Sequence, residues 1–184
     1  MAVKKTLGIF ASHLSQQRGE GTGVPSFYRL NFMKAQVETL LTDALAERSD
    51  LFLIDWNIDS ANHIKIIIDG DEGVRVQDCI DISRAVEHNL DREALDFSIE
   101  VLSAGVTEPL VEKRQFQKNI GRILNVKFKD QEVEGELVSL SDEALTLSYQ
   151  VREKKPVGKG YVKIQKEQEI AFDSVVRATV MIKF

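Results

Sequence analysis

The 184-residue chain has one cysteine, three prolines, three histidines and a single tryptophan. Cys79 cannot close an internal disulfide, and with no second thiol nearby it makes no zinc signature. On the apolar side of an expected helix it reads as a small core hydrophobe. His13, His63 and His88 fall in a tail, beside a turn and on a helix, none with a His or Cys at metal-ligand spacing. No apolar run approaches the ~20 residues that a bilayer-crossing helix needs. The short run at residues 7–11, after Lys4 and Lys5, is too brief for a secretory leader, whose apolar core spans ~7–15 residues. A cytoplasmic address is expected. No Gly-rich phosphate loop ending in Lys-Ser/Thr and no nucleophile elbow occur. Asp69, Asp71 and Glu72 cluster carboxylates, yet the segment lacks the further acidic positions of a calcium loop. Neither catalysis nor a metal or other cofactor is expected.

What the chain does have is an ordinary apolar content, 43%, enough to bury a core in one or two small domains. Its net charge of -5 is unevenly divided. Residues 33–110 carry 6 Lys+Arg against 17 Asp+Glu, whereas residues 111–184 carry 14 against 11. RNA phosphates would be repelled by the first module and attracted by the second, and the acidic module suits a basic protein partner.

Hydrophobic spacing divides the chain further. Residues 1–32 lack sustained periodicity and read as a flexible basic extension, with Met33 a candidate true start. Val37, Leu40, Leu41, Ala44 and Leu45 recur at helical spacing, which predicts a helix over 34–47. Phe52, Ile54, Trp56 and Ile58 alternate, as do Ile64, Ile66 and Ile68 after a turn at 59–62, which predicts a β-hairpin. A helix over 78–90 buries Cys79, Ile82, Val86 and Leu90, and Phe97, Ile99 and Val101 supply a third strand. Beyond residue 110, strands are expected at 121–129, 132–140, 144–151, 168–172 and 177–183, with Gly135 allowing a sharp bend. Residues 152–163 read as a long basic loop.

The fold class is thus α+β: an N-terminal αββαβ two-layer domain over 33–110, KH-like or prodomain-like in order, then a small SH3/Sm-like β-barrel over 111–184. The Gly70-Asp71-Glu72-Gly73 turn matches the GxxG pattern of nucleic-acid-clamping KH loops. It joins a strand to a helix, and its two carboxylates would repel phosphate, so it reads as a structural turn. Cations expected to hold RNA are Lys113, Arg114, Lys118, Arg122, Lys127, Lys154, Lys155, Lys159 and Lys163. Asp69, Asp71 and Glu72 are the expected face for a basic protein.

The stretch from Ile66 to Asp91, with its Asp69, acidic glycine turn and Asp78-Cys79, resembles the N-terminal domain of the bacterial ribosome maturation factor RimP family. Glu100, Val101, Ser103, Gly105, Pro109 and Leu110 continue the likeness into the second domain. Ala104 replaces the family's first proline and Glu108 stands where many members have arginine, so that arginine's contacts do not carry over. The resemblance implies a monomeric, non-catalytic, cytoplasmic assembly factor. Such a factor binds the immature small (30S) ribosomal subunit, through ribosomal RNA and a basic ribosomal protein, and leaves before translation. A general Sm-like RNA-binding protein or RNA chaperone is the alternative.

Overall fold

The computed structural model describes residues 26–92, 96–155 and 160–182. By internal contacts the chain falls into two units, Met1–Ala35 and Gln36–Phe184. Helix α1 covers Ser26–Ala46, so it begins well before residue 34. No glycine or proline interrupts this stretch, and Ser26 is a residue type favoured at helix starts. The last residues of the segment read as a flexible extension are therefore helical, and residues 1–25 lie outside the described residues.

Within the second unit, strands β1 (Leu51–Ile58), β2 (His63–Gly70) and β3 (Ser98–Ser103) form a sheet in that order. β1 and β2 make the hairpin. Its turn is built by Asp59, whose Oδ1 accepts the backbone N–H of Ala61 at 2.8 Å and of His63 at 2.9 Å. Asn62 there takes a positive φ of 60°, which its short polar side chain tolerates. β2 pairs parallel with β3, a pairing that requires a crossover, and helix α2 (Val76–Glu87) supplies it. Ile64, Ile66 and Ile68 of the central strand are fully buried, and Val37, Leu41, Ile82 and Val86 supply buried apolar positions on α1 and α2. Cys79 departs from the expected core position. Its neighbours Val76 and Ile80 are exposed, and it sits half-buried in a groove that α2 lines together with Val101 of β3.

The second half holds a six-residue helix, α3 (Lys113–Lys118), and five strands. These are β4 (Ile123–Phe128), β5 (Gln131–Leu140), β6 (Ala144–Lys154), β7 (Tyr161–Ala171) and β8 (Val175–Val180), with a 3-10 turn at Phe172–Ser174. Their order is β7-β6-β5-β4-β8: a meander whose last strand returns to pair with its first. β7 and β8 are not hydrogen-bonded neighbours, so the sheet stays open between them. Leu124, Val126, Leu137, Leu145, Leu147, Ile170 and Ala178 form the core with Phe116 of α3. The Phe116 ring meets Phe172 edge-on at 5.3 Å between centroids. Gly135 is required where β5 passes β6: a Cβ there would stand 2.9 Å from the Ser148 carbonyl oxygen.

The expected basic loop at 152–163 is corrected. β6 runs to Lys154 and β7 starts at Tyr161, so both ends of the segment are strands of a two-stranded ribbon, joined by the Lys155 N–H donating to the Gly160 carbonyl, and residues 156–159 lie outside the described residues. Val162 and Ile164 do alternate there, but Arg152, Lys154, Lys163 and Tyr161 fill the opposite, exposed face.

Candidate nucleic-acid interface and the charged joint

The acidic turn after β2 and helix α3 meet. Gly70 follows Asp69, and its position admits nothing larger, since a Cβ would stand 2.5 Å from the Gly73 carbonyl oxygen. That tight path turns Asp69 inward, 5% exposed. Its carboxylate accepts hydrogen bonds from the Gly70 backbone N–H at 2.8 Å, from Gln115 Nε2 at 2.9 Å and from Lys118 Nζ. Lys118 also donates to the Gly70 carbonyl at 3.2 Å. Gln115 is buried, and its Oε1 accepts the N–H groups of Val111 and Glu112, which fixes the start of α3.

A second pair flanks the first. Arg114 donates through Nε to Asp71 Oδ1 at 2.9 Å and through Nη2 to Asp71 Oδ2, and Nη2 also reaches the Ser49 carbonyl at 2.8 Å. Its guanidinium carbon lies 4.5 Å from the centre of the Phe52 ring, a cation–π contact. The hydrogen bond from Arg114 holds the Asp71 carboxyl below its ordinary value. Beside this pair, where the Asp71 N–H donates to the Asp50 carbonyl, Arg48 donates to Asp50 and to Asp78 Oδ1, the latter at 2.8 Å. With the Arg75 backbone N–H, that bond holds Asp78 low as well.

The acids expected to form one partner-facing surface are thus separated. Asp69 is buried and saturated by hydrogen bonds, Asp71 is paired, and Glu72 is exposed. Acidity in a sequence carries no direction, and the residues that draw Asp69 inward lie 46 and 49 positions later. The cations are sorted in the same way. Arg114 and Lys118 are engaged within the chain, and Lys113 donates to the Asp142 carbonyl while standing over the Phe172 ring. Arg122, Lys127, Lys154, Lys155 and Lys163 are exposed, and Lys159 lies outside the described residues.

The remaining motif residues build the joint. Ser103 ends β3, and the Ala104 N–H extends the parallel pairing by donating to the Ile68 carbonyl. A turn follows in which Glu108 N–H donates to the Gly105 carbonyl. Pro109 and Leu110 are half-buried, and the Leu110 N–H donates to the Ala178 carbonyl at 2.8 Å. Glu100 is exposed, 3.6 Å from His63 Nε2. The Cys79 thiol is pushed up by burial and then by Asp78, away from the thiolate. Among the described residues no group of three or more His, Cys, Asp or Glu is placed to hold a metal ion, and no helix is long and apolar enough to cross a membrane.

The model of the RimP N-terminal domain matches residues 41–107. A protein named "Ribosome maturation factor RimP" from Christiangramia forsetii is 53% identical over 152 residues, which cover 83% of this chain and 99% of that relative. The chain belongs to the RimP family. The RimP relative so named from Flavobacterium psychrophilum is 47% identical, with 82% of this chain and 98% of the relative covered. That from Porphyromonas gingivalis is 32% identical over 68% of this chain and 82% of its own length. The RimP N-terminal domain match takes in Asp69, Asp71 and Asp78, three of the carboxylates fixed by arginine or lysine.

Proposed function

We propose that this chain is a non-catalytic ribosome maturation factor that acts in the cytoplasm on the immature small subunit. The observation that carries the reading is the 53% identity, over 83% of this chain, to a protein named as a ribosome maturation factor. The charge division supplies a mechanism. RNA phosphate is held on the barrel half by exposed cations such as Arg122, Lys127, Lys154, Lys155 and Lys163. Arg114 and Lys118 serve the joint between the acidic turn and α3, and Lys113 serves the barrel. The acidic half, where Glu72 is exposed at the turn, meets a basic ribosomal protein. The factor acts as a monomer and needs no cofactor.

A general RNA-binding role is the second reading, favoured by the five-stranded Sm-like strand order. A sucrose gradient separates the two. Under the first reading the protein sediments with immature small subunits and is absent from mature paired ribosomes. Uniform binding to any single-stranded RNA, with no preference for immature subunits, would move the conclusion to the second.

A further inference from the structure

Beyond the last pair that β5 makes with β6, Glu136 with Ser148, strands β6 and β7 continue alone through six more pairs, from Tyr149 with Lys166 to Lys154 with Tyr161. That extension is about 20 Å long at ~3.3 Å per residue. Side chains alternate between its faces. The face continuous with buried Leu145 and Leu147 carries Val151, Ile164, Val162 and the ion pair of Glu153 with Lys166. The opposite face carries Gln150 against Gln165, Arg152 against Lys163, and Lys154 against Tyr161.

Two features of that second face point to a ligand. Arg152 and Lys163 stand directly across from each other, and like charges so placed destabilise a sheet. Among the described residues no carboxylate pairs with Arg152, Lys154 or Lys163, the described ion pair of the ribbon lying on the other face. Tyr161, 64% exposed, ends the same row of side chains. Cations beside an exposed aromatic ring are the elements of a single-strand platform, the cations taking phosphates and the ring taking a base. An acidic peptide would satisfy the cations and leave the ring without a partner. Towards the barrel this face turns acidic at Glu167 and Glu169, which limits any contact to the outer half of the ribbon.

We propose that the outer half of the β6–β7 ribbon is a one-sided RNA contact, with Arg152, Lys154 and Lys163 on backbone phosphates and Tyr161 stacked on a base. This rests on the reading of the chain as an RNA-contacting maturation factor and assigns that contact to one face.

The test uses the full chain and a fluorescein-labelled single-stranded RNA of mixed sequence, titrated by anisotropy at several salt concentrations. Arg152→Gln with Lys163→Gln should lower the slope of log affinity against log salt by about 1.4, since each single-strand phosphate contact contributes about 0.7. Its thermal midpoint should not fall, because the repulsion between the two charges is gone. Lys154→Gln, at the outer end, should lower the slope by about 0.7 and serves as a second variant should the double substitution misfold. Tyr161→Ala should weaken binding roughly 5- to 150-fold, and Tyr161→Phe should restore it. Lys166→Gln, on the other face, should leave binding at the parent value. An unchanged slope in the double and Lys154 variants overturns the proposal, as does an equal loss in Lys166→Gln. Displacement of the RNA by polyglutamate with Tyr161→Ala silent assigns the ribbon to an acidic protein instead. If the parent sediments with immature subunits yet binds no RNA, the ribbon assignment falls while the maturation role stands.

Discussion

Asp69 shows how far a single residue's chemistry depends on distant parts of the chain. At the surface it would be one carboxylate of an acidic turn, but its burial makes Gln115 and Lys118 obligatory partners. Lys118→Ala should lower stability in urea unfolding by about 1.5–3 kcal/mol, the range for a hydrogen bond to a charged group. A loss indistinguishable from that of Lys127→Ala, an exposed control, would mean the bond contributes nothing. Acid should act on the other carboxylates. Asp78 is held below 3.8 by Arg48 and the Arg75 N–H, Asp50 by Arg48 and Asp71 by Arg114. Their folded values lie below their unfolded ones, so the stability they contribute is fully present above pH 3.8 and is lost as pH falls through the folded values. The urea midpoint should therefore drop on the acid side of about pH 4, and Asp78→Asn should lower the midpoint at pH 7 while flattening that acid limb. An acid limb of the same steepness in Asp78→Asn would exclude Asp78 as its source.

At the scale of elements, what could be read from the sequence was what repeats with a period. Ile64, Ile66 and Ile68 alternate without interruption, and their strand, its hairpin and its buried face are found where the pattern puts them. Helix α3 has no such pattern: in Lys113–Lys118 the one apolar side chain is Phe116, and the helix is held by Gln115 accepting backbone N–H groups and by bonds to the acidic turn. Those interactions are not periodic and left no signal. The ribbon kept only a short pattern, Val162 and Ile164 two places apart, which the charged residues of its opposite, solvent-facing side obscured. Gly135 was expected to allow a bend, whereas what requires glycine there is a close approach to the Ser148 carbonyl oxygen. Gly135→Ala should cost about 1–3 kcal/mol as an overpacked position, measured by thermal or urea unfolding. A neutral effect would show that β5 and β6 can separate there without loss.

The charge division of the whole molecule was visible by counting, whereas the assignment of charges to partners was not. Reversing Asp71 would break its pair with Arg114 and confuse stability with recognition, so Glu72→Lys is the cleaner probe of steering. Association of that variant with a basic small-subunit protein should be slower at low salt, and the difference should vanish at high salt. Equal rates at low salt would take the acidic turn out of recognition. The barrel half has its own apolar core, and Leu110 joins it through its N–H to Ala178 and by packing at its edge. A fragment of residues 109–184 is therefore expected to unfold cooperatively by circular dichroism, at lower stability than the intact chain. A non-cooperative transition would place the folding boundary elsewhere.

Asp69 on one side and Gln115 with Lys118 on the other also make the two halves a matched inheritance. A chimera that joins residues 1–110 of this chain to the second half of a relative with apolar residues at the places of Gln115 and Lys118 would strand a buried carboxylate, though each half kept its own core. Exchange of halves between relatives succeeds only when the acid and its two donors travel together, so the joint acts as a lock and key between parts of one gene product.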